Sequence, residues 1–330
     1  MIYPKWLKKG DLIGISAPSA GVKEEKLEKF DLSLMHVKNA GYRIRETDSV
    51  RSGLPASAAP KVRGKEFMEL IEDDEVDMIF CAAGGDFLYD MLPFLDYEVI
   101  QKHPKWIQGY SDPTSILFSV TTKLDIATIY GGNAGTFGMT KLHSSLEENL
   151  KLWKGELTEQ KSFDRYESSW NDEVDGYCLD APVEWKTPNG AVNVTGRMIG
   201  GCMDCLRDLI GTPYEDAAGF AKRYAKDGLI WYFDVFSMPS EAVYLTLMHM
   251  RYAGWFEGVK AVMFGRVVFP STYADMTYEE AALKALGNEI PLIMEADVGH
   301  VAPRMTFVNG CMAHIESADG KGRVSYEWRE

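Results

Sequence analysis

The chain has 330 residues, a length at which two domains are expected because a single hydrophobic core usually stops growing before that size. Its hydrophobic content of 46% and charged content of 25% are typical of a soluble globular protein. The formal net charge of -14, without a cluster of Lys and Arg, argues against nucleic acid or an anionic membrane as a partner.

The first 155 residues alternate predicted strands and helices. The strands are expected at 11–16, 42–46, 76–81, 106–109 and 126–130, and the helices at 23–39, 65–73, 88–95 and 113–123. This alternation predicts a flavodoxin-like α/β domain, a parallel sheet with helices on both faces and functional residues at the carboxyl ends of its strands. Ser16, Gly85 and Ser111 lie at or just past such ends.

A polar stretch leads into a second domain, which we expect to comprise residues 161–330 and to be smaller and of mixed α/β type. Its predicted strands are 229–233, 261–264 and 292–295, and its predicted helices are 203–210, 241–253 and 278–286. A terminal hairpin, 306–316 and 324–328, is expected to turn at Asp319-Gly320.

Five cysteines, an odd number, fit a reducing compartment, and the N-terminus lacks the apolar core of a signal peptide. No apolar run approaches the length of a membrane span, so we expect a cytoplasmic protein. Cys202 and Cys205 form a C-x-x-C without a second pair or a histidine at zinc-ligand spacing. We therefore expect core cysteines and no metal, with metal or redox chemistry as the less favoured alternative.

The segment 106–115 has a serine where an apolar strand gives way to a helix. Ser111 follows Gly109, and Pro113 opens the predicted helix. At such a junction the hydroxyl points outward from the sheet edge, and backbone N–H groups of the new helix can stabilise an oxyanion. Such a turn can prepare a serine for attack on a carbonyl, but capping frequencies alone favour a helix cap at this stretch. The alternative is that Ser111 or Asp112 only caps the helix.

A serine nucleophile requires a base within hydrogen-bonding distance and a third group that orients the base. Of the six histidines, His300 is the best candidate because it lies between Gly299 and a proline-bearing loop, although a surface histidine would look the same. Asp234 ends an apolar strand, where a carboxylate needs a cation or an imidazole as partner unless it caps the helix near Ser240. The order Ser–Asp–His also occurs in α/β-hydrolases, but Pro113 replaces their second glycine and disfavours that fold.

With Ser111, Asp234 and His300 in this order, the chain resembles the serine LD-carboxypeptidase family, which includes the microcin-immunity peptidases. The resemblance covers nearly the whole length and depends on the order and spacing of short blocks. These blocks are Lys9-Gly10-Asp11, Ser16-Ala17-Pro18-Ser19, Gly84-Gly85, Leu92-Pro93-Phe94-Leu95-Asp96, Gly109-Tyr110-Ser111-Asp112, Gly196-Arg197-Met198-Ile199-Gly200-Gly201, Gly211-Thr212-Pro213-Tyr214, Ala253-Gly254-Trp255-Phe256, Phe264-Gly265-Arg266 and Gly299-His300.

The resemblance implies a role for each residue of a catalytic triad and an oxyanion hole. Ser111 would be the nucleophile, and His300 would be the base. Asp234 would orient the base, and the backbone N–H groups of Gly85 and Asp112 would hold the oxyanion.

Two positions depart from the family pattern. Asp234 stands where the family usually has glutamate, which is one methylene longer; triads elsewhere accept either acid, and Glu241 is the alternative acid. Cys202 stands where the family often has asparagine, which puts the identity of the substrate in question. Trp170 and Trp185 could stack on a nucleobase or could only anchor a loop. The residues expected near the substrate are Gly84, Cys202, Trp170 and Trp185.

The resemblance implies a cytoplasmic serine peptidase that hydrolyses the LD-amide bond before the terminal D-alanine of a murein tetrapeptide, through an acyl-enzyme and without a cofactor. It also implies a homodimer. One alternative is an immunity-type amidase that cleaves peptidyl or aminoacyl nucleotides. Another is a catalytically inert binding protein on the same scaffold. A dinucleotide-dependent enzyme is disfavoured because the turn at 17–21 lacks the G-x-G-x-x-G pattern.

Overall fold

The computed structural model describes residues 1–170 and 174–328, which divide into two compact units. The first unit comprises Met1–Leu157 and Thr306–Val308, and the second comprises Thr158–Met305 and Asn309–Glu330. The chain therefore returns to its first unit near the C-terminus, a crossing that the sequence did not predict. The mixed α/β class expected for the chain is confirmed.

Strands and helices alternate through the first unit. Their bounds are β1 Leu12–Ser16, α1 Leu27–Asn39, β2 Arg43–Glu46, α2 Pro60–Glu72, β3 Val76–Cys81, α3 Tyr97–Lys102, β4 Trp106–Gly109, α4 Thr114–Leu124, β5 Thr128–Tyr130 and α5 Ser144–Trp153. The sheet has the order β5-β4-β3-β1-β2 with parallel pairing, and the segment Phe307–Asn309 adds a sixth strand beside β5.

The central strands of this sheet are apolar runs because helices cover both faces. All five residues of β1 are buried, as are five of the six in β3. Since β1, β3 and β4 are neighbours and parallel, the loops that follow them meet at one edge of the sheet. The helix predicted at 88–95 is instead a short 3-10 segment, Tyr89–Phe94, because Pro93 cannot donate the N–H that an α-helix needs there.

The second unit has a mixed sheet. Its elements are β6 Glu159–Lys161, β7 Arg165–Tyr166, β8 Ala181–Pro182, β9 Val192–Cys202, α6 Met203–Leu209, α7 Ala217–Arg223, β10 Leu229–Asp234, α8 Ser240–Tyr252, β11 Val259–Gly265, α9 Tyr278–Leu286, β12 Leu292–Ala296, β14 Met312–Ala318 and β15 Lys321–Glu327. The intervening strand β13, Phe307–Asn309, is the sixth strand of the first sheet. The sheet order is β12-β11-β10-β9-β14-β15-β6, parallel from β9 to β12 and antiparallel in the rest. This sheet has seven strands, and the sheet of the first unit has six.

Two details of the second unit concern glycine. The strand β9 was not predicted because it contains three glycines, but a Cβ at Gly200 would lie 1.9 Å from the carbonyl oxygen of Tyr232 on β10, so the close pairing of these strands requires glycine. The predicted turn of the terminal hairpin is confirmed: Asp319 and Gly320 join β14 to β15 and both have positive φ, 51° and 76°. The strand predicted at 306–316 is instead divided, because Phe307–Asn309 pairs in the first sheet and the hairpin strand begins at Met312. Within the described residues, no helix combines the length and apolar character needed to cross a bilayer.

Candidate active site

Ser111 lies directly past the end of β4 in a constrained backbone conformation. Its φ of 66° is in the left-handed region, which costs a non-glycine residue on the order of 1 kcal/mol. Gly84, in the loop after the neighbouring strand β3, packs against it: a Cβ there would lie 3.0 Å from Cβ and 3.2 Å from Oγ of Ser111. Ser111 therefore lies in a sharp turn between β4 and α4, and the loop that contains Gly84 packs against its side chain.

Neither Ser111 nor Asp112 caps the helix α4 with its side chain. The helix α4 begins at Thr114 after Pro113, and no side-chain hydrogen bond caps it. The Asp112 carboxylate instead accepts hydrogen bonds from the hydroxyl of Ser19 and from the N–H of Leu88, the latter at 2.8 Å. Burial raises the pKa of the Asp112 carboxyl, and these two hydrogen bonds oppose that rise.

The glycine loop that borders Ser111 contains Gly85, the other predicted oxyanion residue. Its φ is 147°, and a Cβ there would lie 2.3 Å from Oγ of Ser19, so only glycine fits. The carbonyl of Gly84 accepts a hydrogen bond of 3.1 Å from the N–H of Ala20. The structure thus brings Ser111, Asp112 and the Gly84-Gly85 loop together at the edge of the first sheet, and we refer to them as the nucleophile cluster.

The second unit contains a buried acid–histidine pair. Asp234, the last residue of β10, is fully buried, and Nδ1 of His300 lies 2.7 Å from its Oδ2. The backbone N–H of His300 donates to Oδ1 at 3.3 Å. A Cβ at Gly299 would lie 2.1 Å from Oδ1, so glycine at this position allows the loop after β12 to approach the carboxylate. Since Nδ1 is the ring nitrogen nearest the carboxylate, Nε2 is the one left to take up a proton.

The ring of His300 also packs against an aromatic side chain. The centroids of the Phe236 and His300 rings are 4.6 Å apart. Asp204 fixes the loop that carries Phe236, because its carboxylate accepts the N–H groups of Phe236 at 3.0 Å and of Ser237 at 3.2 Å. The imidazole of His300 thus contacts the Asp234 carboxylate through Nδ1 and packs against the Phe236 ring.

Glu241, the alternative acid, has other partners. Its carboxylate accepts the Thr272 hydroxyl and the Ala274 N–H, each at 2.6 Å, and the Tyr273 N–H at 3.1 Å. Burial would raise the pKa of Glu241, but these hydrogen bonds outweigh it and lower the pKa to about 2. The structure thus brings Asp234, and not Glu241, to His300.

The residues expected near the substrate occupy different environments. Cys202 is buried opposite Asp234 in the pairing of β9 with β10, and its hydrogen bond with Cys205, together with burial, raises its pKa well above the ordinary value. Trp170 is 55% exposed and stacks on Phe236 with centroids 6.1 Å apart. Trp185 is 2% exposed, and its Nε1 donates to Asp297 at 3.0 Å. The burial of this ring favours the alternative in which Trp185 anchors a loop.

Several residues at these sites were missed by sequence reasoning. Ser19 and Asn133 hold the nucleophile cluster; the side-chain amide of Asn133 accepts the Tyr110 N–H at 3.1 Å and donates to the Tyr110 carbonyl at 3.3 Å. A signal existed for both, because each follows the carboxyl end of a strand in the first sheet. Asp204 gave no such signal, since its partners lie more than 30 residues away. Across residues 1–170 and 174–328, the structure contains no group of three His, Cys, Asp or Glu side chains placed to hold a metal ion.

Comparison with known proteins places the chain in a family. Its residues 13–131 match the model of the LD-carboxypeptidase N-terminal domain, and residues 195–315 match that of the LD-carboxypeptidase C-terminal domain. A protein of Bacillus subtilis named a probable murein peptide carboxypeptidase is 26% identical over 64% of this chain and 60% of its own length.

The microcin C7 self-immunity protein MccF of Escherichia coli is also similar, with 25% identity over 93% of this chain and 91% of its own. A solved structure of MccF with glutamyl sulfamoyl guanosine superposes with a TM-score of 0.82 at 22% identity, covering 98% of both chains, so the fold is shared. The two matched domain models cover most of the sequence, and the chain belongs to the LD-carboxypeptidase family.

Proposed function

We propose that this protein is a serine peptidase that hydrolyses the LD-amide bond next to a terminal D-amino acid, with a murein tetrapeptide as its substrate. The observation that carries the proposal is the distance of 2.7 Å between Nδ1 of His300 and Oδ2 of Asp234. A carboxylate in this position fixes the tautomer of the imidazole and stabilises its protonated form, so that Nε2 can act as a general base. The positive φ of Ser111 supports the proposal, because it is typical of a nucleophile on a sharp turn.

In the proposed mechanism, Nε2 of His300 takes the hydroxyl proton of Ser111 while Oγ attacks the carbonyl carbon of the LD-amide. The backbone N–H groups of Gly85 and Asp112 stabilise the negative oxygen of the tetrahedral intermediate. His300 then gives the proton to the leaving amine, which releases D-alanine and leaves an acyl ester on Ser111. Water attacks this ester with His300 again as the base, which restores the hydroxyl. Residues 1–155 thus supply the nucleophile, and residues 161–330 supply the acid and the base.

A second candidate is an amidase that cleaves peptidyl or aminoacyl nucleotides by the same chemistry. Trp170 favours it, because a half-exposed indole stacked on Phe236 presents a flat surface on which a nucleobase could stack. The relative MccF, whose structure is solved with glutamyl sulfamoyl guanosine, supports this candidate as well. The same aromatic surface would also suit an apolar part of a peptide, so substrate assays must decide.

The proposal is tested by D-alanine release from a murein tetrapeptide, with wild type beside Ser111→Ala. Release that disappears in the variant supports the peptidase. No release, combined with cleavage of an aminoacyl sulfamoyl nucleoside, would replace it with the second candidate. A fluorophosphonate should label Ser111 and should fail to label His300→Ala. If wild type neither cleaves nor is labelled, an inert binding protein becomes the better description.

Two parts of the proposal concern the cell and the assembly. The chain has five cysteines, an odd number, which suits a reducing compartment such as the cytoplasm. We also propose a homodimer. Fractionation of the native host would test the location. Sedimentation at micromolar concentration would contradict the dimer if it gave only the 37.0 kDa chain.

A further inference from the structure

Two buried side chains connect the three loops around Ser111. The first is the Asp112 carboxylate, which is only 5% exposed. Its Oδ2 accepts from the Ser19 hydroxyl in the loop after β1 and from the Leu88 N–H, at 2.8 Å, in the loop after β3. Asp112 itself is in the loop after β4, so a single carboxylate oxygen joins all three loops.

The second connecting side chain is Arg63 of α2, whose guanidinium is fully buried. Its Nη1 donates to the carbonyl of Pro18 and to the carbonyl of Phe87, both at 2.8 Å. Nε donates to the carbonyl of Ala58 at 2.9 Å, and Nη2 pairs with Asp90. Burying a guanidinium is costly unless its donors are satisfied, so these four contacts fix its position and that of the two loops.

These contacts surround the glycine that is proposed to hold the oxyanion. Leu88 and Phe87 follow Gly85 in the same loop and are held by Asp112 and Arg63 respectively. On the other side, Oγ of Ser19 lies where a Cβ at Gly85 would be only 2.3 Å away. The Gly85 peptide is therefore fixed by contacts before and after it.

We propose that Arg63 and the Asp112 carboxylate are positioning residues that hold the Gly85 N–H at the place where the oxyanion forms on Ser111. The inference rests on the proposed serine peptidase function. Oxyanion stabilisation depends on donors that are already in place before the reaction, and a displacement of about 1 Å can cost about 100-fold in rate. Asp112 then has two functions, since its own N–H is the other donor and its side chain fixes the first.

The test compares Arg63→Met and Asp112→Ala, which removes both accepted hydrogen bonds, with wild type. We expect kcat for D-alanine release to fall about 10- to 100-fold, because the transition state loses a correctly placed donor. We expect an unchanged Kd for a tetrapeptide whose scissile amide is replaced by CH2–NH, since it has no carbonyl oxygen to stabilise. Arg45→Met is the matched control: it removes a partly exposed arginine paired with Asp73 in the same unit, and its kcat should equal that of wild type.

Two milder variants keep the test decisive if Arg63→Met does not fold. Ser19→Ala removes one donor to Asp112, and Arg63→Lys keeps the charge without the planar fork; both should lose kcat with an unchanged Kd for the CH2–NH peptide. Wild-type kcat in folded variants, or equal losses of kcat and of affinity for that peptide, would overturn the inference while leaving the peptidase intact. If wild type is neither labelled by a fluorophosphonate nor active, the proposed function fails first, and the inference fails with it.

Discussion

The carboxylate of Asp234 has little room to move. Oδ2 lies 2.7 Å from Nδ1 of His300, and a Cβ at Gly299 would lie 2.1 Å from Oδ1. A glutamate would extend the carboxylate by a C–C bond of about 1.5 Å into this space. We expect Asp234→Glu to lower kcat about 10-fold or more in the D-alanine assay, although the family's acid is usually glutamate. Activity at or above the wild-type level would mean that the loop at Gly299 adjusts freely.

The identity of the acid is tested by the pair Asp234→Asn and Glu241→Gln. An amide at 234 removes the charge that stabilises the protonated His300 and can favour the wrong tautomer, so we expect kcat to fall about 100- to 10,000-fold. Glu241→Gln changes a carboxylate that binds the 272–274 loop and should cost less than about 10-fold. Measured kcat values in the reverse order would make Glu241 the acid.

At the level of elements, Glu241 joins α8 to the loop between β11 and α9. Its pKa is lowered to about 2, below the ordinary value of 4.5, because the folded loop donates hydrogen bonds to the ionised form. A lowered pKa adds stability that is complete above the ordinary pKa and is lost as the pH falls from about 4.5 towards 2. We expect Glu241→Gln to lower the melting temperature at pH 7, with the difference from wild type shrinking below about pH 4.

The control for this pH dependence is Glu257→Gln, in the connection between α8 and β11. Glu257 is an exposed carboxylate outside the helices, so its variant should have the wild-type melting temperature at pH 7. A Glu241→Gln difference that stays constant down to pH 2.5 would show that shape, and not charge, supports the loop.

The strands that carry the acid and the base could be predicted because they are apolar and short. These strands are β10 and β12: Asp234 is the last residue of β10, and His300 lies in the loop after β12. β9 could not be predicted, since its glycines lower strand propensity and the need for Gly200 follows only from the approach of Tyr232 on β10. A local sequence pattern can identify a strand, but it does not identify the neighbouring strand that determines which residues the first one can contain.

The same limit applies inside the candidate site. Ser111 could be selected because its signal is local: a strand, a glycine and a helix within ten residues. The partners of the adjacent Asp112 could not, because Ser19 is 93 residues away and the loop carrying Leu88 is 24 residues away. For the same reason the sequence left two roles open for Trp185, since its hydrogen bond to Asp297 spans 112 residues.

At the level of the whole molecule, the net charge of -14 predicts how the proposed substrate will arrive. A murein tetrapeptide is itself anionic, so long-range repulsion should slow association at low salt, when the Debye length is about 30 Å. We expect kcat/KM to rise about 2- to 5-fold between 10 and 150 mM KCl, while kcat stays constant because the bound state has already formed. Steady-state kinetics at fixed pH would measure both. A kcat/KM that falls with salt would require a local cationic site strong enough to outweigh the net charge, and would direct attention to the arginines and lysines nearest His300.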